Sequence, residues 1–255
     1  MVRDRRFTRR GADEICRNLP APGAMIEGTK SFIKSAFPFS AQIYRRLRVS
    51  WWSLELLPVR LTDIFTDIYL NNFWADPESV SGRGSTIART EVIRHTLPTL
   101  LESVGARSLL DAACGDFNWM RHVDLSGIEY VGADIVPELV SQNRRTYEAQ
   151  GRTFVLLDIT NDPLPEVDVI LCRDCLIHLS SRCVRAAIAN FKRSKSKFLL
   201  ATTHVSVTKN TDIRSGDRRP VNLELPPFNF PPPLRLITED EEMGKHLGLW
   251  NLAAL

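Results

Sequence analysis

Side chains able to do chemistry first gather at Asp111. The apolar run Leu109-Leu110 ends in that acid, and Ala112-Ala113-Cys114-Gly115 follows as a tight turn. A second apolar run ends in Asp134, about twenty residues further on, the spacing of a nucleotide-cofactor site at the carboxyl ends of adjacent parallel strands. Gly115 lets the backbone approach a ligand closely, and Asp134 can accept hydrogen bonds from both hydroxyls of a ribose. Asp174, His178 and His204 are the candidates for moving a proton, the histidines because their ordinary pKa lies near neutrality.

The elements needed to hold these residues are legible in the periodicity. Helical spacing covers 86–104, with Pro98 as a kink point, and further helices are expected over 118–124, from Pro137 to about 150, and over 180–192. Strands are expected at 108–112, 128–133, 153–157, 167–172 and 197–202. Strands alternating with helices mean a parallel sheet covered on both faces. The alternation stops at 205–233, where Pro226-Pro227 and Pro231-Pro232-Pro233 exclude a long helix. Two closing strands, 234–237 and 247–252, follow around an acidic turn containing Gly244.

Residues 1–70 read as a separate N-terminal helical extension, with an amphipathic helix near 41–57, and 71–255 as the main domain. The extension holds twelve Lys and Arg against seven Asp and Glu, so it carries +5 and the remainder −2 of the net +3. Weak contact of the extension with a membrane surface is one reading of that charge. The main domain is not basic, so no nucleic-acid partner is expected. No apolar run reaches membrane-spanning length, and no signal-peptide core follows Met1–Arg10. Five cysteines, three of them between 172 and 183, read as reduced thiols of a cytoplasmic protein. Cys172, Cys175 and His178 have metal-ligand chemistry but no second pair at finger spacing, so no metal is expected. The oligomeric state is not written in the sequence.

Leu110-Asp111-Ala112-Ala113-Cys114-Gly115-Asp116-Phe117 resembles the first motif of class I S-adenosylmethionine-dependent methyltransferases. Asp134, Leu157-Asp158-Ile159 and the run from Asp168 to Asp174 resemble its later motifs, over about 86–204. CGDFNWM, LCRDCLIHLS and PPFNFPPPLRLI resemble a largely uncharacterised subfamily, of small-molecule or glycan type. The resemblance implies a Rossmann-like, seven-stranded, mostly parallel sheet with helices on both faces, and S-adenosylmethionine as cofactor. It implies that Gly115 and its neighbours Ala113, Cys114, Asp116, Phe117 and Asn118 hold the methionine part, with Asp111 near the ammonium. Asp134 would hold the ribose, Ile135 would pack on the adenine, Asp158 and Ile159 would flank it, and Arg173 would lie by the methyl donor. The chain departs from the family's Gly-x-Gly, since Phe117 stands at the second glycine. A dinucleotide dehydrogenase would need Gly-x-Gly-x-x-Gly, and Asp116 would repel phosphates.

The closer resemblance identifies no acceptor; the expected activity is methylation of an oxygen, in preference to a nitrogen, of a small molecule or glycan. Alternatives are methylation of protein or RNA, or a non-catalytic cofactor-binding interaction module. Acceptor contacts are expected from Trp74, from Arg83 in the glycine-rich entry loop, and from Asn210, Asp212, Asn222 and Phe228 in the proline-rich stretch, where polar forks beside aromatics suit a hydroxylated ligand.

Overall fold

The computed structural model describes residues 60–255, which fall within one unit of the chain. The expected helix at 41–57 lies outside the described residues. The elements are α1 (Leu61–Leu70), α2 (Glu91–Ser103), β1 (Ser108–Ala112), β2 (Glu129–Asp134), α3 (Pro137–Tyr147), β3 (Arg152–Leu156), β4 (Val169–Cys172), α4 (Ser181–Arg193), β5 (Phe198–His204), β6 (Arg235–Asp240) and β7 (Lys245–Asn251). They build one seven-stranded sheet in the order β3-β2-β1-β4-β5-β7-β6. The first five strands pair in parallel, β7 runs antiparallel to β5, and β6 antiparallel to β7. Chain order reverses between β1 and β4, and in open parallel sheets ligands bind at the carboxyl ends beside such a switch point.

Side chains of successive strand residues point to opposite faces, so the core forms two layers. Leu110, Ile170, Leu199 and Trp250 meet Val184, Ala187 and Phe191 of α4 on one face. Leu109, Leu171, Leu200 and Leu249 meet Ile93, Leu97 and Leu101 of α2 on the other. The β4 strand is buried at every position, as its unbroken apolar run requires.

Three departures from the expected elements matter. The helix expected over 118–124 is only a short turn, Met120–His122. Phe117 sits at φ 58°, and the Asn118 amide bonds the Asp116 carboxylate at 3.3 Å, so no α-helix starts there. Residues 61–70, placed in the extension by the sequence reading, form a helix with Ile64 and Ile68 buried and with Leu61 and Phe65 against the main core. The closing strands are longer than expected, so Glu239, Asp240 and Lys245 fall within the β6–β7 hairpin.

Candidate functional site

The carboxyl ends of β1, β2 and β4 and the turn after β3 open into one cavity of about 450 Å³, within the range of small-molecule sites. Ala113, Gly115, Asp134, Ile135, Asp158, Ile159, Arg173, Asp174 and His178 all line it, as do Trp74 and Arg83. These sequence-expected residues come together from five segments of the chain.

Asp134 ends β2 and is buried. Its Oδ2 accepts the Gly115 amide at 3.0 Å and its Oδ1 accepts the Val136 amide at 3.1 Å. The Ile135 amide also draws on the carboxylate. Burial pushes this carboxyl up, against the pull of the Val136 and Gly115 amides. Gly115 itself has φ 60°, and a Cβ on it would run into Ser81 Oγ. Only glycine lets the β1 turn and the entry loop meet this closely. Asp158 Oδ1 accepts the Thr160 amide at 2.8 Å and its hydroxyl at 2.7 Å, a local turn that fixes the carboxylate at the cavity wall.

Several expected cofactor residues lie elsewhere. Asp111 is buried beneath the cavity, not on its wall, and accepts the Tyr130 hydroxyl at 2.8 Å. Burial pushes it up to about 7, with the Tyr130 hydroxyl opposing. Cys114 is buried in the α2-side core. Asp116, expected to face the donor's charged end, turns toward the entry loop instead: it accepts Ser79 Oγ at 2.8 Å, the Val80 amide at 3.0 Å and Ser81 Oγ at 3.2 Å. Asn118 Nδ2 donates to Glu78 Oε1 at 2.8 Å and to the Ser85 carbonyl at 3.1 Å. The two residues therefore clamp the glycine-rich loop over the β1 turn. Phe117 adopts the left-handed backbone that a glycine would adopt freely, and its ring packs 5.2–5.3 Å from those of Tyr130, Tyr147 and Phe154. Its aromatic contacts hold a conformation that costs a non-glycine residue about 1–3 kcal/mol.

The proline-rich stretch also holds itself. Asn210 Nδ2 donates to the Asn222 and Pro226 carbonyls, and Asn222 Nδ2 donates to the Val207 carbonyl. Asp212 accepts the Ser181 amide at 2.7 Å and so caps α4. Phe228 packs on the core. None of these four lines the cavity. The loop acts through its backbone: His178 Nδ1 stands 2.9 Å from the Asp217 carbonyl oxygen. A carbonyl only accepts, so Nδ1 carries the proton and Nε2 keeps its lone pair on a ring that lines the cavity. Burial lowers the pKa of His178, with the Asp217 contact and Asp174 opposing, so the ring is neutral at pH 7. The Trp74 ring lies 5.1 Å from it. His204, by contrast, accepts the Val221 amide at 3.3 Å, lies off the cavity wall, and ties the loop at Val221 to β5.

The sequence reading missed an ion cluster at the β4 end. Arg173 Nε donates to Glu239 Oε1 at 2.7 Å, Lys245 Nζ to Asp174 Oδ2 at 2.6 Å, and Lys245 lies 3.3 Å from Glu239 Oε2. Burial alone would raise Asp174, but Arg173 and Lys245 outweigh it and hold it at about 2. The acidic run at 239–242 read as a turn; the signal was Glu239 standing before that turn, inside the strand. Leu61, Phe65, Ile68 and Tyr69 of α1 also line the cavity, and their helical spacing was visible. Among the described residues, no three His, Cys, Asp or Glu side chains are grouped to hold a metal ion.

Residues 109–196 match the family model described as a methyltransferase domain. No curated protein matches the chain. Among solved structures, magnesium protoporphyrin IX methyltransferase (ChlM) from Synechocystis PCC 6803, with bound SAM, aligns over 77% of this chain and 99% of its own at 13% identity and a TM-score of 0.51. The 1,6-didemethyltoxoflavin-N1-methyltransferase of Burkholderia thailandensis, with its substrate and S-adenosylhomocysteine bound, aligns over 76% and 92% at 15% identity and a TM-score of 0.52. The chain spans 66% of the methyltransferase domain of bacterial CtHen1, which aligns over 45% of this chain at 14% identity and a TM-score of 0.40.

Proposed function

We propose, from the premise that this chain carries a methyltransferase domain in the class I fold, that it transfers a methyl group from S-adenosylmethionine to an oxygen of a small molecule. The cavity wall suits that donor. Asp134 brings a carboxylate to the cavity wall for a ribose, Ile135 and Ile159 offer apolar surface to an adenine, and the Gly115 cradle would be filled by any Cβ. When bound, S-adenosylmethionine supplies an electrophilic methyl group on a sulfonium.

The observation that carries the oxygen assignment is the tautomer of His178. With Nδ1 committed to the Asp217 carbonyl, Nε2 is a neutral base at the cavity wall. Nε2 would take the proton of an acceptor hydroxyl as that oxygen receives the methyl group, which the sulfonium would supply with S-adenosylhomocysteine as its leaving group. Trp74 and the clamped entry loop shield that step from water, and alignment by the walls supplies much of the rate. The acceptor lies on the β4–β5 side, and the loop residues Asn210, Asp212, Asn222 and Phe228 support the wall instead of touching it. This favours a small molecule over a glycan.

The test incubates the purified protein with methyl-labelled donor and a fractionated extract of its host. Label in the small-molecule fraction, stable to alkali and located on oxygen as a methyl ether, supports the proposal; an alkali-labile ester or an N-methyl product refutes the hydroxyl assignment. Label confined to polypeptide or RNA refutes it. His178→Ala is expected to bind S-adenosylhomocysteine normally but to lose about 10²–10⁴-fold in turnover, the usual range for a general base.

A further inference from the structure

The β4 end holds a donor that the fold leaves unanswered. Arg173 is buried, 4% exposed at its side chain, and lines the cavity, yet its Nη2 has no hydrogen-bond partner among the described residues. Buried polar atoms of this kind are rare in folded proteins. The rest of the guanidinium is fixed: Nε donates to Glu239, Nη1 faces Asp174 at 3.5 Å, and the plane stands over the Trp119 ring at 5.3 Å. Only Nη2 is left to a ligand. A single charged N–H donor left over in this way suits one oxygen of a carboxylate, through one charge-assisted bond.

The surrounding charges agree. Lys245 and Arg173 together offset Asp174 and Glu239, so the cluster itself does not repel an anion. Arg218 stands at the cavity rim, exposed, with no hydrogen bond or ion pair to a described residue. The donor adds a net positive charge when bound. Asp174 lies between Arg173 and His178 and interacts with both, so an anchor and a base serve one chamber.

We propose that the methyl acceptor carries a carboxylate, held by Arg173 Nη2 and steered in by Arg218, with its hydroxyl presented to His178. The proposal rests on the methyltransferase reading and names its substrate class: a small hydroxy-acid. The cofactor's own carboxylate is the other source of the same chemistry.

Calorimetric titration of benzoate, and separately of benzamide, into the full chain saturated with S-adenosylhomocysteine distinguishes them. Benzoate is expected to bind at least about tenfold more tightly than its uncharged counterpart, the usual advantage of a charge-assisted contact. Removing Arg173 alone strands Glu239, so the double variant Arg173→Gln/Glu239→Gln carries the comparison. It is expected to lose the preference for benzoate and to keep wild-type affinity for S-adenosylhomocysteine. Arg218→Ala, on an exposed side chain, is expected to weaken benzoate about two- to fivefold and to flatten its salt dependence. Equal or absent binding of benzoate and benzamide by the wild type overturns the proposal. So does a double variant that keeps the preference and loses S-adenosylhomocysteine, because the anion at Arg173 is then the donor's. A wild-type chain that fails to bind S-adenosylhomocysteine at all overturns the methyltransferase reading instead.

Discussion

Replacing Asp116 by alanine separates two roles that the sequence could not. The carboxylate accepts from Ser79 Oγ, the Val80 amide, Ser81 Oγ and the Asn118 amide, at 2.8–3.3 Å. Bonds to a charged acceptor contribute about 1.5–3 kcal/mol each when buried, but this side chain is half-buried and water replaces part of the loss. A total of about 2–4 kcal/mol is the expected cost, concentrated on holding residues 79–82 over the β1 turn. The lower figure corresponds to about a thirtyfold weaker apparent affinity if the closed loop is the binding-competent one. Calorimetry with S-adenosylhomocysteine reads the affinity, and amide exchange at Val80, Ser81 and Gly82 reads the loop. Both are expected to change together, with Asp116→Asn intermediate. Weaker binding with unchanged exchange would mean that Asp116 touches the ligand directly, and the clamp would be refuted. Unchanged values of both would refute it equally.

Asp134→Ala is expected to weaken S-adenosylhomocysteine binding about a hundredfold or more, from two lost bonds to a charged acceptor, and unchanged calorimetric affinity would remove Asp134 from the site. At Phe117, alanine should cost about 3–5 kcal/mol in urea unfolding, and glycine, although smaller, should cost less than alanine because it accepts φ 58° without strain. The usual order, glycine worse than alanine, would show that no strain is held there. Asp168 accepts the Arg107 and Ser108 amides and pairs with Lys197, the largest influence, and its pKa falls from 3.8 to about 2. A depressed carboxyl stabilises the fold above its unfolded pKa and loses that contribution as pH falls through the folded one. The urea midpoint should therefore drop between about pH 4 and pH 2, and Asp168→Asn should flatten that limb.

Much of the donor side was legible, because it is written locally. Each parallel strand is an apolar run; the run of β2 placed Asp134 at its end, and the family resemblance pointed to Asp158, just past the end of β3. What stayed hidden depends on partners far along the chain. Asp116 looks like a ligand contact until Ser79, Val80 and Ser81 are seen to occupy its oxygens, more than thirty residues away. Asn210 and Asn222 look like sugar-binding forks, yet the Asn210 amide bonds the backbone of Asn222 and the Asn222 amide that of Val207, because a loop without regular structure must satisfy its own polar groups. Arg173 was visible, but Glu239 and Lys245 could be joined to it only by knowing that β7 lies against β5. The positive φ at Phe117 explains why a glycine suits that place in the first motif, and only packing reveals how a phenylalanine can occupy it.

The antiparallel hairpin also dates the assembly of the molecule. The segments that would hold the donor, from Ser79 to Ile159, leave the ribosome well before the last strands. Arg173 then waits, at the end of a strand destined for burial, for an acid that arrives 66 residues later. Until the β6–β7 hairpin docks on β5, Arg173 at the end of β4 has only its neighbour Asp174 as a counter-charge and lacks the Glu239 carboxylate that its Nε donates to. The hairpin from Arg235 to Asn251 therefore decides whether the centre of the sheet is finished. A chain cut short there would keep a nearly complete cofactor wall around an unsealed middle.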